Sequence, residues 1–145
     1  MPGNIDPIYT RVGNISEDGA GGTTMPGAVT TATGDYTGAS ANHELIHTAG
    51  SNGSFVRGIR CTALGANTAS VLRIYVNNGS ANTTAANNVL VGQLSLPATT
   101  ATNTAATAEP YYPLNLALDP SFRIYVGLGT TVAAGWRCVA EAGQY

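Results

Sequence analysis

From residue 43 to the C-terminus, apolar and polar residues alternate in short runs that are separated by clusters of Gly, Asn and Pro. Alternation with a period of two places every second side chain on one face and is typical of β-strands. The pattern predicts an opening strand near residue 43 and further strands over 54–64, 69–77, 88–96, 111–118, 122–128 and 135–141. No helical periodicity of ten or more residues occurs, so we expect an all-β fold, an antiparallel sandwich or barrel.

The alternation also predicts which side chains face the core of this domain. The inward-facing set is Leu72, Ile74, Val76, Leu90, Leu94, Leu96, Tyr112, Leu114, Leu116, Leu118, Phe122, Ile124, Val126, Leu128, Trp136, Cys138 and Ala140. Between Val56 and Ile59 the phase changes, and Gly58 is the expected β-bulge. The tetrapeptide Arg-Ile-Tyr-Val occurs at 73–76 and at 123–126. It arises by chance or marks equivalent strands of two Greek-key halves.

Residues 1–42 are rich in Gly and Pro and contain only isolated large apolar side chains. Such a segment cannot build a core of its own and is ordered only when another surface holds it. We expect an extended N-terminal arm over 1–42, followed by a β-sandwich domain over 43–145. The arm would lie over its own domain or over a neighbouring chain. Its candidate anchors are Ile5, Ile8, Tyr9, Val12 and Ile15.

Small, weakly polar residues dominate the composition. Ala, Thr, Gly, Asn and Ser make up 79 of the 145 residues, whereas only 14 residues are charged and the formal net charge is −2. A surface with so few charges is poorly protected against self-association, which favours a protein that works inside an assembly. The charge balance argues against a nucleic-acid partner, and the short apolar runs argue against a membrane span.

Three stretches together resemble small virion proteins of tailed bacteriophages: HTAGSNGSFVRGIRCTALGANTASVLRIYVNNGS at 47–80, LVGQLSLPATT at 90–100 and PLNLALDPSFRIYVGLGTTVAAGWRCVAEAGQY at 113–145. The resemblance implies a jelly-roll-like β-sandwich that is made in the host cytoplasm and located on the capsid surface of the virion. It further implies a capsid decoration or cement protein without catalytic residues or cofactor. Its partners would be itself, as a homotrimer, and the major capsid protein or other virion proteins.

Residues 43–47 read HELIH and so match the zinc-binding pattern H-E-x-x-H. That pattern holds zinc when both imidazoles lie one turn apart on a helix. Gly50 and Gly53 follow too closely for a helix to continue. In a strand, His43 and His47 would share a face at a separation of about 13 Å, which is too far for one metal ion. We therefore expect that this segment binds no metal ion and that the protein is not an enzyme. A zinc peptidase is kept as a further hypothesis, which metal analysis of the purified protein tests.

Both cysteines, Cys61 and Cys138, fall on the predicted inward faces, and each follows an arginine. They could be neighbours in the core. Because a phage protein folds in reducing cytoplasm, we expect two buried thiols rather than a disulfide.

The outward faces of two strands carry Arg73 with Tyr75 and Arg123 with Tyr125. Arginine and tyrosine are enriched at protein interfaces because each offers a large flat contact with a polar tip. These four residues are therefore the candidate interface on the sandwich. The alternative is a solvated sheet face on which arginine and tyrosine stack locally.

A second functional hypothesis is a carbohydrate-binding or adhesin module, associated with a head fibre or a tail. Such a module needs exposed aromatic rings on which sugars stack. The candidate platform consists of Tyr111, Tyr112 and Tyr145.

Overall fold

The computed structural model describes residues 25–33 and 36–145, and it confirms the predicted antiparallel β-sandwich. The seven strands of this part of the chain are β1 (Glu44–Thr48), β2 (Ser54–Ala63), β3 (Ser70–Asn77), β4 (Asn88–Leu96), β5 (Tyr111–Leu118), β6 (Arg123–Leu128) and β7 (Trp136–Gln144). They form a four-stranded sheet in the order β1-β6-β3-β4 and a three-stranded sheet in the order β5-β2-β7. A short 3-10 turn, Ala85–Asn87, lies in the β3–β4 loop.

The connections between successive strands mostly change sheets. Five of the six cross from one sheet to the other, and only β3 and β4 form a hairpin within one sheet. Because the chain keeps crossing, residues that are far apart in sequence meet in one core between the two layers. The two sheets are thus wound together rather than built one after the other.

The core confirms the predicted inward faces of β3, β5, β6 and β7. Ile74, Ile124 and Trp136 are fully buried, and Leu114 and Leu116 pack against the same cluster. The prediction for β4 was wrong at one position. A register shift opposite Ile74 and Tyr75 places Leu90 across from Tyr75, on the outer face, and Val91 packs against the core instead.

A β-bulge in β2 is confirmed where the sequence predicts it. Val56 pairs with Ala142 of β7 and Gly58 pairs with Glu141, so Arg57 is the extra residue. The bulge allows Val56 and Ile59 to be fully buried although three positions separate them. A side chain at Gly58 would overlap the hydroxyl group of Tyr111, which lies over this position.

The expectation of two free thiols is wrong. Cys61 and Cys138 face each other in the β2–β7 register and form a disulfide across the two neighbouring strands. The β2–β7 register explains why the bond forms, because it brings the two sulfur atoms together in the core. The bond links positions that are 77 residues apart.

The two Arg-Ile-Tyr-Val segments are neighbours in the four-stranded sheet. They run antiparallel in β3 and β6, with Tyr75 directly opposite Tyr125 and Ile74 opposite Val126. The repeated tetrapeptide thus pairs with itself across the middle of the sheet.

Residues 25–33, which belong to the predicted arm, lie on the sandwich of their own chain. The Val29 N–H donates to the Trp136 carbonyl at 2.8 Å, and the Thr33 N–H donates to the Leu128 carbonyl at 2.9 Å. Val29 is 3% exposed and belongs to the core. This segment therefore connects the start of β7 to the end of β6, while the predicted anchors Ile5, Ile8, Tyr9, Val12 and Ile15 lie outside the described residues.

Truncation of a core side chain tests this packing. Ile74→Ala should lower the free energy of unfolding by about 2–5 kcal/mol, because it removes apolar contacts and leaves a cavity in a close-packed layer. The matched control is Val89→Ala in β4, where the side chain is 57% exposed and the expected loss is about 0.5 kcal/mol or less. Urea unfolding of both variants measures the difference, and equal losses would contradict the assigned faces.

The disulfide gives a second test. Without reductant, the unfolded chain should show no thiol that reacts with a thiol reagent, and after reduction it should show two. The variant with both Cys61→Ala and Cys138→Ala should be less stable than the oxidised protein by about 2–4 kcal/mol, because the cross-link restricts the unfolded chain. Two reactive thiols before reduction would contradict the bond.

Candidate interaction surfaces

The HELIH segment forms no helix, as the glycines after it led us to expect: His43 directly precedes β1, and residues 44–47 lie in it. Its strand contains a register shift: Leu45 pairs with Tyr125, whereas His47 pairs with Ile124. Paired residues of antiparallel strands point to the same side, and Ile124 points into the core. The prediction that His43 and His47 share a face was therefore wrong, since the bulge turns His47 inward. Imidazoles on opposite faces of a sheet cannot form the zinc site of the motif.

The groups that would act in a peptidase are engaged in holding the fold. His43 is 7% exposed, and its ring stacks on Tyr75 with the centroids 4.5 Å apart. The Glu44 carboxylate accepts a hydrogen bond from the Gly27 N–H and so binds the segment 25–33 to β1. Each group thus has a structural partner elsewhere in the fold.

His47 is a fully buried titratable group in the core. It shares a hydrogen bond of 2.7 Å with the hydroxyl group of Ser54, the first residue of β2, which is also fully buried. Burial penalises the charged form and lowers the pKa of His47 to about 4. The imidazole is therefore neutral at physiological pH and serves as a polar link between the two sheets.

Residues 36–43, here called the strap, cross the outer face of the four-stranded sheet. The Tyr36 ring lies 4.2 Å from the guanidinium carbon of Arg73. At Gly38, which has a φ of +80°, an added Cβ would lie 2.8 Å from the Tyr75 ring. The strap ends at His43, which stacks on the same ring. Arg73 and Tyr75 are thus covered by their own chain.

The prediction that Arg73 and Tyr75 form part of an exposed interface on β3 is wrong, because the strap buries both side chains. Arg73 is 8% exposed and Tyr75 is fully buried, so neither offers a large contact to another molecule while the strap is in place. Arg123 and Tyr125 on β6 are half-buried. Tyr125 lies beside Tyr75, but Arg73 pairs with Gly127 near the opposite end of β6 from Arg123. The structure brings the two tyrosines together and keeps the two arginines apart.

A groove opens beside Arg73 at the edge of the strap. It encloses about 360 Å³, and its lining includes Tyr36, Ser70, Gln93 and Gly129. Gln93 lies directly across from Arg73 in the β3–β4 register.

The three tyrosines of the predicted sugar platform lie in three different places. Tyr112 pairs with Ile59 and packs against the core. Tyr145 is at the C-terminus, where its N–H donates to the Gly53 carbonyl. Tyr111 is on the outer face of the three-stranded sheet. They cannot form one platform, because alternation sends Tyr111 and Tyr112 to opposite sides of β5.

Around Tyr111 lies a surface that the sequence analysis did not identify. We call it the open face; it is the outer side of the three-stranded sheet and comprises Arg57, Arg60, Tyr111, Arg137, Val139 and Glu141. The three arginines are exposed and the other three residues are half-buried. The signal was present in the sequence, because Arg60 and Arg137 alternate with the buried residues Ile59, Cys61, Trp136 and Cys138.

Arg60 is the centre of an ionic and aromatic cluster on the open face. Its guanidinium donates to the Glu141 carboxylate at 2.7 Å and lies 3.9 Å from the Glu109 carboxylate. The hydrogen bond to Glu141 raises the pKa of Arg60. The guanidinium carbon also lies 5.6 Å from the centre of the Tyr111 ring. This cluster holds Tyr111 and Arg60 in place on the sheet.

The lowered pKa of His47 predicts a pH dependence of stability. In the unfolded chain a histidine titrates near pH 6.5, whereas in the folded protein His47 titrates near pH 4. Between these two pH values the unfolded state binds a proton at this position and the folded state does not. The free energy of unfolding should therefore fall as the pH drops from about 6.5 to 4, with a contribution of up to about 1.4 kcal/mol per pH unit. Urea unfolding at several pH values measures it. In His47→Gln this part of the slope should vanish, and an identical slope in both proteins would contradict the assignment.

Comparisons with known proteins do not assign the chain to a family. No protein-family model, no curated protein and no solved structure matches it. Within the residues that the structure describes, no helix is long and apolar enough to cross a membrane. The resemblance to phage virion proteins therefore stays a prediction from the sequence.

Proposed function

We propose that this chain is a non-enzymatic structural protein of a tailed-phage virion, which decorates or cements the capsid by binding between major capsid subunits. The observation that carries the proposal is the contrast between the two faces of the sandwich. The middle of one outer face is covered by the strap, whereas the open face presents arginine and tyrosine side chains to solvent. The sequence resemblance and the weakly charged, small-residue composition support the virion setting.

The mechanism would be binding without chemistry. A protein that binds the assembled shell, and not the free subunits, stabilises the shell by mass action at each of many equivalent sites. As a homotrimer the chain would present three open faces at once, which raises the effective concentration for the second and third contacts. Linked contacts of this kind hold neighbouring capsid subunits together.

The N-terminal residues would add a further contact. Residues 25–33 already use their backbone to pair with β6 and β7 of their own chain. A Gly- and Thr-rich segment can pair in the same way with an exposed strand edge of a neighbour. Ile5, Ile8, Tyr9, Val12 and Ile15 are the candidate anchors of that contact.

The second candidate function is a carbohydrate-binding module, and it rests on Tyr111 alone. This ring lies on the open face beside Arg60, with the Glu109 and Glu141 carboxylates near the same guanidinium. One ring with polar neighbours could bind a single sugar unit. Binding to a glycan array that is lost in Tyr111→Ala would favour this function.

The proposal is tested with capsid shells of the encoding phage that lack this chain. The purified protein should bind the shells saturably, with a copy number that is a multiple of three, and should raise their melting temperature. A chain without residues 1–24 should remain folded by circular dichroism and bind less tightly, because the candidate anchors are lost. Absence of the protein from purified virions, together with no binding to the shells, would overturn the proposal.

A further inference from the structure

We infer that the open face binds an acidic protein surface, with Arg57 and Arg137 as the residues that make the charged contacts. The inference rests on the proposed function, because it names the chemistry of the capsid surface that this chain would recognise. It is carried by the position, the ion pairing and the surroundings of the three arginines on this face.

The arginines form a line that runs along the strands β2 and β7. Arg57 is the extra residue of the β2 bulge, and Arg137 lies on β7 directly opposite Thr62. The two ends of the line are therefore five positions apart along β2, a distance of about 16 Å in an extended strand. Arg60 lies between them. The β2 bulge is needed for this arrangement. Without its extra residue, Val56 and Arg60 would lie on the same face of β2, whereas in the structure Val56 is buried and Arg60 is exposed.

Their charges are balanced to different degrees. Arg60 is paired with Glu141 and Glu109, so its charge is compensated within the chain. Arg57 and Arg137 are exposed and make no ion pair with any residue that the structure describes. The chain as a whole has a formal charge of −2, yet this face has three arginines beside two glutamates. The two outer arginines are thus positive charges that complement a negative partner surface.

The surroundings favour a protein partner over a nucleic acid. Tyr111 and Val139 are half-buried on the same face, and they offer apolar contact area near the arginines. Arginine and tyrosine around a partly apolar centre are typical of protein interfaces. Binding to a nucleic-acid backbone depends instead on many simultaneous phosphate contacts. Two arginines without an ion pair can make only a few such contacts, so this face is a poor nucleic-acid surface.

A second copy of the chain does not fit the same face. Symmetric pairing of two open faces would place like charges of Arg57 and Arg137 near one another in an interface with lowered solvent screening. The partner surface that fits is therefore one that carries carboxylates at a matching separation.

Single charge reversals test the inference. Arg57→Glu and Arg137→Glu should each weaken binding to the undecorated shells by at least about tenfold, because a favourable electrostatic contact becomes a repulsive one. The matched control is the double variant Thr83→Glu, Ser95→Glu, which changes the net charge by the same amount at exposed positions of β4 and of the β3–β4 loop and should bind like the wild type. Arg57→Gln and Arg137→Gln should show smaller losses. Thermal unfolding of each variant verifies that it is folded, and binding of the wild type should weaken as salt is raised.

A second probe separates this inference from the proposed function. On immobilised poly-L-glutamate the wild type and the double variant Thr83→Glu, Ser95→Glu should be retained, and Arg57→Glu and Arg137→Glu should elute earlier. If the wild type fails to bind shells but shows this pattern, the capsid role is wrong and the acidic-partner surface stands. Equal behaviour of all variants on both probes would overturn the inference.

Two further outcomes would also overturn it in favour of another occupant. Retention on duplex DNA that both reversals abolish would identify a nucleic-acid surface. Dissociation of the oligomer by the reversals, measured by sedimentation velocity, would identify a contact between copies of this chain.

Discussion

The pairing of β2 with β5 and β7 is the constraint on which most of this structure depends. β2 is the central strand of the three-stranded sheet, and a one-residue slip in its register would send every side chain to the other face. The bulge at Arg57 sets that register on both sides of Gly58. It buries Val56 and Ile59 together and brings Cys61 opposite Cys138. The same register puts the arginines of the open face outside.

The two sheets differ in what lies on their outer faces. The four-stranded sheet is covered in its middle by the strap, which contacts Arg73 through Tyr36 and Tyr75 through His43. The three-stranded sheet has the Arg60 cluster on its surface, and its charged side chains remain in contact with solvent. A sandwich with one face packed under its own chain and the other accessible has a defined side for a partner. This asymmetry underlies the proposed function.

The buried polar groups show how the sandwich tolerates an interior that is not fully apolar. His47 is paired with Ser54, and Asn67 accepts hydrogen bonds from the Ala134 and Gly135 N–H groups and donates to the Gly135 carbonyl. A buried polar atom without a partner costs free energy, so these bonds fix where the loops lie. Asn67 joins the β2–β3 loop to the β6–β7 loop in this way. In the sequence it is indistinguishable from an ordinary turn residue.

The sequence by itself determined the fold class, the positions of the strands and most of the core. Apolar residues at every second position make one face of a strand unfavourable in water, and that preference holds wherever the strand pairs. It is why Ile74, Ile124 and Trp136 were assigned correctly. The glycine at position 58 revealed its bulge, because only a residue without a side chain fits beneath Tyr111.

Only the tertiary structure decided which strands are neighbours, and most of what failed in the sequence prediction follows from that. The bulges of β1 and β4 turn His47 inward and Leu90 outward, and they exist only relative to a partner strand. The disulfide and the strap are also contacts between distant segments. Alternation records on which side of its own strand a residue lies. It carries no information about what covers that side, and covering is what separates the buried Arg73 from the exposed Arg57 and Arg137.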